Sequence, residues 1–160
     1  MAIGLKLRRM KLLNRLFVSK GRKKLLSILN QINQELNDRV SENTLGESWA
    51  WKTAIYLPFI NEIKTSNDHR YNKLITSETL IENLCLIIID RINSELTTGR
   101  FHVWRGLLST EGEYLRRVSH YLFKNKLSPY FKQQGKSDED LENIRDNIFR
   151  DTDYWIKHVG

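Results

Sequence analysis

The densest set of side chains able to do chemistry lies in the stretch GRFHVWRGLLSTEGEYLRRVSH, from Gly99 to His120. Its charged and imidazole side chains are Arg100, His102, Arg105, Glu111, Glu113, Arg116, Arg117 and His120. On a helix, Glu113, either Arg116 or Arg117, and His120 share one face, which would allow an acid–base pair or an arginine clamp on phosphate. An exposed Glu–Arg pair is more commonly a solvated ion pair, so the sequence predicts no catalytic residue here.

No recognised catalytic or metal-binding motif occurs elsewhere in the chain. The sequence lacks an HExxH pair, Cys/His zinc spacing, a glycine-rich phosphate loop and a GxSxG turn. The histidines are separated along the chain, at His69, His102, His120 and His158. We therefore expect no bound metal and no cofactor, and we favour a binding protein over an enzyme.

The positive charge is concentrated at the start of the chain. Nine lysines and arginines lie between Gly4 and Lys24, and the first carboxylate is Glu35. The remainder is nearly neutral, although the whole chain carries a formal charge of +7. Such asymmetry indicates a polyanionic partner, either nucleic acid or an anionic membrane surface. Charged residues interrupt every apolar run near the start, so the sequence predicts neither a secretory signal nor a membrane span.

Tryptophans beside basic residues are a second feature typical of nucleic-acid binding, because aromatic rings stack on unpaired bases. Trp104 lies between Arg100 and Arg105, whereas we expect Trp49 and Trp51 to pack in the core. The predicted nucleic-acid-binding residues are Arg8, Arg9, Lys11, Arg15, Arg22, Lys23, Lys24, Arg100, Trp104 and Arg105.

Apolar periodicity predicts helices in the segments that must position these residues. Residues 22–40 place six apolar side chains on one arc: Leu25, Ile28, Leu29, Ile32, Leu36 and Val40. Residues 77–97 form a second helix, capped by Thr76 or Ser77 and ended by Gly99. Its buried side should contain Leu84, Ile88, Ile92 and Leu96, which recur every four residues.

Capping-box pairs predict two further helix starts. Thr110 with Glu113 begins a helix whose apolar face holds Leu115, Val118, Tyr121 and Leu122 and which ends at Pro129. Ser137 with Asp140 begins the last helix, whose apolar face holds Leu141, Ile144 and Ile148. The segment WAWKTAIYLPFINEI reads as helical, with a kink or a fresh helix start near Pro58.

The pattern of residues 3–18 predicts an amphipathic helix whose apolar face is interrupted by charged residues. Gly21 separates it from the next predicted helix. We divide the chain into a basic N-terminal helical segment, 1–21, and a helical bundle, 22–160. The predicted fold is all-α, a single-domain antiparallel bundle of five to six helices. Linkers are expected near 41–47, 65–76, 97–109 and 127–137.

The last helix carries an acidic face over residues 138–153. Seven carboxylates lie there, against only Arg145 and Arg150. This face can pair with the basic start of the same chain or of a second copy, which makes self-association one candidate. The lone cysteine, Cys85, cannot form an intrachain disulfide, so we expect a reducing, cytoplasmic location.

Three functions from different classes fit these patterns. The first is a non-catalytic helical module associated with nucleic acid or a nucleoprotein assembly through its basic start. The second is a protein–protein adaptor or inhibitor that docks through the amphipathic helix of residues 3–18. The third is peripheral membrane attachment through the same helix, which ranks lower because its faces separate poorly. Richness in Lys, Asn and Ile is typical of an AT-rich bacterial or phage genome.

Overall fold

The computed structural model describes residues 2–39, 50–65, 78–98 and 109–158, with side chains from residue 20 to residue 154 of these ranges. Within them the chain is helical and contains no strand, which confirms the all-α prediction. The antiparallel arrangement of a bundle stays a prediction. None of the described helices is long and apolar enough to cross a membrane.

Six α-helices, two of them extended by π-helical segments, make up these residues. In chain order they are α1 (Ala2–Arg39), a π-helical segment (Trp51–Tyr56) that runs into α2 (Leu57–Thr65), α3 (Leu80–Thr97), α4 (Thr110–Leu122), a π-helical segment (Phe123–Leu127) that runs into α5 (Ser128–Gln133), and α6 (Asp138–His158). One cluster of buried apolar side chains includes residues from α1, α2, α3, α4 and α6 and from both π-helical segments.

The central helix of this core is α3. Leu84, Ile88, Ile92 and Leu96 are all fully buried, as their four-residue spacing predicts. The predicted cap is displaced: Thr79 precedes the helix, without a capping hydrogen bond from its side chain. Cys85 is also buried in α3, and burial raises the pKa of its thiol to about 12.

A single 38-residue helix, α1, replaces the two helices expected around Gly21. The predicted boundary is wrong, because the helix passes through Gly21, which is buried. A glycine inside a helix costs only about 1 kcal/mol relative to alanine, and good helix formers surround this one. Leu25, Leu29, Ile32 and Leu36 are buried as predicted. The division into 1–21 and 22–160 stays a prediction, but its junction is the interior of a helix.

Both prolines of the chain follow π-helical segments instead of ending helices. Each segment is closed by a hydrogen bond between residues five positions apart. One runs from the Leu57 amide to the Lys52 carbonyl and the other from the Ser128 amide to the Phe123 carbonyl. Proline has no N–H, so the carbonyl four residues earlier loses its α-helical partner, and a wider turn accommodates that loss. The expected end of the helix at Pro129 is therefore wrong, and α5 continues to Gln133.

Two helix starts test the capping predictions. Ser137 and Asp140 form the predicted reciprocal pair, with hydrogen bonds of 3.0 and 3.1 Å between each backbone amide and the other side chain. At α4 the cap is Ser109, whose Oγ accepts from the Gly112 amide at 3.0 Å. The predicted cap, Thr110, is therefore wrong by one residue.

The α5–α6 turn ends helix α5 at a left-handed glycine. Gly135 has φ of 85°, and its amide donates to the Lys132 carbonyl while Lys136 donates to Phe131. This is a Schellman motif, in which glycine avoids the steric cost of positive φ. Of the linker predicted at 127–137, only residues 134–137 are non-helical. The linker predicted at 41–47 lies outside the described residues, as do most of 65–76 and of 97–109.

The core position of Ile88 gives a direct test of this packing. Ile88→Ala should lower the free energy of unfolding by about 2–5 kcal/mol, because it removes buried methyl groups and leaves a cavity. Ile81, on the same helix but 43% exposed, is the matched control, and Ile81→Ala should change stability by less than about 1 kcal/mol. Equal losses in a urea titration would show that α3 is not central.

Candidate nucleic-acid interface

The continuity of α1 sets the relative register of the basic residues at its start. At about 100° per residue, the positions of Arg8, Lys11, Arg15 and Arg22 fall within an arc of about 60°. They extend over about 21 Å of helix, at a rise of 1.5 Å per residue. We call these four positions the basic stripe. A helix broken at Gly21 would not have fixed Arg22 in line with the other three.

The lysines near Gly21 lie outside the basic stripe, around the rest of the same helix. Lys20, Lys23 and Lys24 are exposed, and their positions lie roughly 60–220° around the helix from the basic stripe. The predicted basic set is therefore divided between two sides of α1. Lys23 and Lys24 also lie deep within the helix and not at a helix start, so no N-terminal dipole acts on them.

Arg22 connects the basic stripe to the body of the protein. It is half-buried, and its Nη1 lies 3.5 Å from the Lys64 carbonyl oxygen, in the last turn of α2. Free carbonyls at a helix C-terminus attract cations, so this contact satisfies the end of α2. Arg22 thus has a structural role, whereas the side chains of Arg8, Arg9, Lys11 and Arg15 lie outside the described residues.

The second predicted set of nucleic-acid contacts falls outside the described residues, since Arg100, Trp104 and Arg105 lie in the 99–108 stretch. Trp49 lies outside them as well. Trp51 is fully buried, and its Nε1 donates to Asn33 Oδ1 at 2.7 Å. This confirms that Trp51 packs in the core, where it connects the π-helical segment before α2 to α1.

Within the described part of the Gly99–His120 stretch, Arg116 forms two ion pairs. Arg116 lies 4.0 Å from Glu113 and 3.7 Å from Asp153 on α6. The acidic face of α6 therefore pairs with basic side chains of the same chain. A further such contact joins Asp138 to Lys132, at 3.9 Å.

His120 is half-buried and stacks on Phe149 of α6, with ring centroids 4.2 Å apart. Burial, followed by the positive charges of Arg116 and Arg145, holds the pKa of His120 below its ordinary value, against a smaller effect of Asp153. The imidazole is therefore neutral near pH 7. Among residues 20–39, 50–65, 78–98 and 109–154, no three His, Cys, Asp or Glu side chains are placed to hold a metal ion.

A polar cluster that the sequence did not reveal joins α1 to the end of α4. Glu35 Oε1 accepts from the Tyr121 hydroxyl at 2.5 Å, and Glu35 Oε2 lies 2.8 Å from Lys126 Nζ. Burial opposes ionisation of Glu35, but the hydrogen bonds from Lys126 and Tyr121 and the charges of Lys126 and Arg39 outweigh it and lower its pKa. Burial and the Glu35 carboxylate raise the pKa of Tyr121 to about 12.

Comparison with known proteins found no matching family model, no matching curated protein and no matching solved structure. The function must therefore be argued from the residues themselves.

The Glu35 cluster predicts that the stability difference between wild type and a Glu35→Gln variant depends on pH. Glu35→Gln should cost on the order of 1 kcal/mol near pH 7, through the lost charge-assisted hydrogen bonds. Because the folded-state pKa is lower than the ordinary 4.5, this stabilisation is complete above about pH 4.5 and disappears as the pH falls through the folded-state pKa. In urea unfolding, the difference in free energy of unfolding between wild type and Glu35→Gln should be smaller at about pH 3 than at about pH 7.

Asp38→Asn is the matched control for this experiment, because Asp38 is an exposed carboxylate on the same helix. It should give no comparable difference at either pH. An advantage of wild type over Glu35→Gln that stays constant between the two pH values would contradict the assigned ionisation.

His120→Ala tests whether this histidine has a chemical or a packing role. The variant should keep its helical circular dichroism and lose about 1–2 kcal/mol of stability, because it loses the stack on Phe149. Elemental analysis of the wild-type protein should show no stoichiometric transition metal at His102 or His120. A stoichiometric metal that is lost in His120→Ala would instead assign a metal centre.

Proposed function

We propose that this protein is a non-catalytic helical module that binds nucleic acid, alone or in a nucleoprotein assembly, through the basic stripe of α1. The observation that carries the proposal is the continuity of α1 through Gly21, which fixes Arg8, Lys11, Arg15 and Arg22 in one register. Lysine and arginine side chains spaced along one side of a helix suit a row of phosphates. No carboxylate lies among the first 34 residues to oppose that contact.

The dimensions of α1 support the same partner. An α-helix with its side chains is about 10–12 Å across, and the major groove of B-DNA is about 12 Å wide. The basic stripe, about 21 Å long, is comparable to the width of a duplex groove and its flanking phosphates. Contacts to phosphates position a protein without reading the bases, so we propose affinity with little sequence preference.

The second half of α1 supplies the anchor that such a helix needs. Leu25, Leu29, Ile32 and Leu36 bury one side of it in the core, and Arg22 contacts the C-terminal carbonyl of Lys64 on α2. A rigid attachment of this kind reduces the entropy lost when the helix binds. Arg100, Trp104 and Arg105 remain part of the proposal as a second contact surface.

A protein partner is the second candidate, and the helical register of α1 favours it specifically. Leu5, Leu12 and Leu16 fall on the side of α1 opposite the buried residues Leu29 and Leu36. On the second half of α1 the same side carries polar residues and not core residues. These leucines are therefore placed to contact a partner helix or groove. Attachment to an anionic membrane through the same residues ranks lower, as does self-association through the acidic face at 138–153.

We further propose that the protein acts in the cytoplasm. The presence of a single cysteine supports this, because one thiol cannot form an intrachain disulfide of the kind common in oxidising compartments.

The two sides of α1 provide a matched pair of variants. One carries Arg8→Gln, Lys11→Gln and Arg15→Gln in the basic stripe, and the other carries Lys20→Gln, Lys23→Gln and Lys24→Gln. Each loses three positive charges, and Arg22 is left in place because it contacts α2. Binding of a mixed-sequence duplex oligonucleotide is measured at several salt concentrations, together with the circular dichroism of each protein.

The wild-type protein should show a log–log salt slope of several units, because each neutralised phosphate contributes roughly 0.7–0.9. The basic-stripe variant should lose about two to three units of slope while keeping its helical signal, and the variant at Lys20, Lys23 and Lys24 should lose less than about one. Equal losses in both variants would contradict the basic stripe, and no binding by the wild type at low salt would contradict the nucleic-acid proposal.

A further inference from the structure

A cavity of about 430 Å³ lies where the end of α4 and the following π-helical segment meet the first turns of α6. Its volume is within the range of small-molecule sites in proteins. The residues that line it are His120, Phe123, Lys124, Ser128, Leu141, Glu142 and Arg145. The cavity lies on the body of the protein, and its lining includes no residue of α1. It is therefore separate from the nucleic-acid surface proposed above.

The most buried side chains that line the cavity are apolar. Phe123 is 5% exposed and Leu141 is 8% exposed, so both present only a small surface. His120 contributes its ring, held in place by the stack on Phe149 behind it. Aromatic and aliphatic surfaces of this kind fit the face of a planar ring.

The charged side chains of the cavity make its mouth net positive. Lys124 and Arg145 are exposed, and Glu142 is the one carboxylate among the lining residues. The positive charge of Arg145 acts on His120, and this supports the placement of the two side chains on the same cavity. A guanidinium binds carboxylate or phosphate oxygens in pairs, and an ammonium adds a second charge-assisted hydrogen bond.

The π-helical segment helps to form this site. Phe123 and Lys124 are its first two residues, and its closing hydrogen bond is accepted by the Phe123 carbonyl. A π-helical turn displaces the side chains that follow it and occurs frequently at functional sites. Both π-helical segments place two side chains in the core, Trp51 and Ile55 in one and Phe123 and Leu127 in the other. The cavity is the independent observation at the second segment, because Phe123 and Lys124 also line it.

We propose that this cavity binds a small aromatic anion. The ring lies against Phe123, Leu141 and His120, and the carboxylate or phosphate lies between Lys124 and Arg145. Glu142 accepts a hydrogen bond from an N–H group where the ring carries one. Neither the ring nor the anion is sufficient alone, because the apolar surface and the two cations act on different parts of the ligand.

Four probes separate these contributions. Phenyl phosphate and benzoate carry both parts and distinguish phosphate from carboxylate. Inorganic phosphate carries the charge without a ring, and benzyl alcohol carries a ring without the charge. Binding is followed by NMR from the imidazole signals of His120, in the full chain and in two variants, Arg145→Gln and Arg150→Gln. Arg150 is the matched control, because it is exposed on α6 beside Asn147 and does not line the cavity.

At least one aromatic anion should shift the His120 signals saturably, and should raise the pKa of His120 because a nearby negative charge favours the imidazolium. The groups already acting on this ring are Arg116, Arg145 and Asp153, with Lys124 and Glu142 on the same cavity. Inorganic phosphate and benzyl alcohol should bind at least about tenfold more weakly than that probe. Arg145→Gln should weaken its binding about tenfold or more, and Arg150→Gln should leave it unchanged within about twofold.

Three results would overturn the site. The first is no saturable shift with either aromatic anion up to about 10 mM, which is weaker than any useful affinity. The second is inorganic phosphate binding as tightly as phenyl phosphate, which would indicate diffuse charge attraction. The third is equal affinity in Arg145→Gln and Arg150→Gln. None of these results bears on oligonucleotide binding by α1, so the two proposals fail separately.

Discussion

The burial of Leu25, Leu29, Ile32 and Leu36 along one side of α1 is the constraint on which this structure depends. A helix is stiff over this length, so fixing the rotation of its second half also fixes the register of its first half. The basic stripe is therefore set by core packing some way along the same helix. This coupling is also why the glycine at position 21 matters: a break there would release the first half from any defined register.

Several polar contacts between distant parts of the chain reinforce this anchoring. Trp51 donates to Asn33, and the cluster of Glu35, Tyr121 and Lys126 holds the second half of α1 against the end of α4. On the other side of the core, Asn93 donates to the Ile148 carbonyl at 3.0 Å and accepts from the Thr152 hydroxyl at 3.1 Å, so α3 is joined to α6. Hydrogen bonds in such half-buried places add specificity to an otherwise apolar core.

Features that depend on neighbouring residues could be predicted from the sequence, whereas features that depend on the arrangement of distant helices could not. The four-residue spacing of Leu84, Ile88, Ile92 and Leu96 identified the buried side of α3, and the capping pair Ser137–Asp140 identified the start of α6. Adjacent hydroxyls at Ser109 and Thr110 made the α4 cap ambiguous by one residue.

Other features needed the three-dimensional structure. Proline rules predicted an end at Pro129, but a π-helical turn absorbs the missing hydrogen bond and the helix continues. Glu35 lies on the polar side of α1 in the sequence pattern, and its partner Tyr121 is 86 positions away. The candidate site was predicted as a group of basic residues, but its division into two sides followed only from the continuity of α1.

The most direct test of this account is backbone NMR of the full chain with and without a short duplex oligonucleotide. The account predicts helical Cα chemical shifts without interruption through Gly21, and amide perturbations that peak near Arg8, Lys11, Arg15 and Arg22, with the periodicity of one helix side. Coil-like shifts around Gly21, or perturbations spread evenly over Lys20, Lys23 and Lys24 as well, would contradict it.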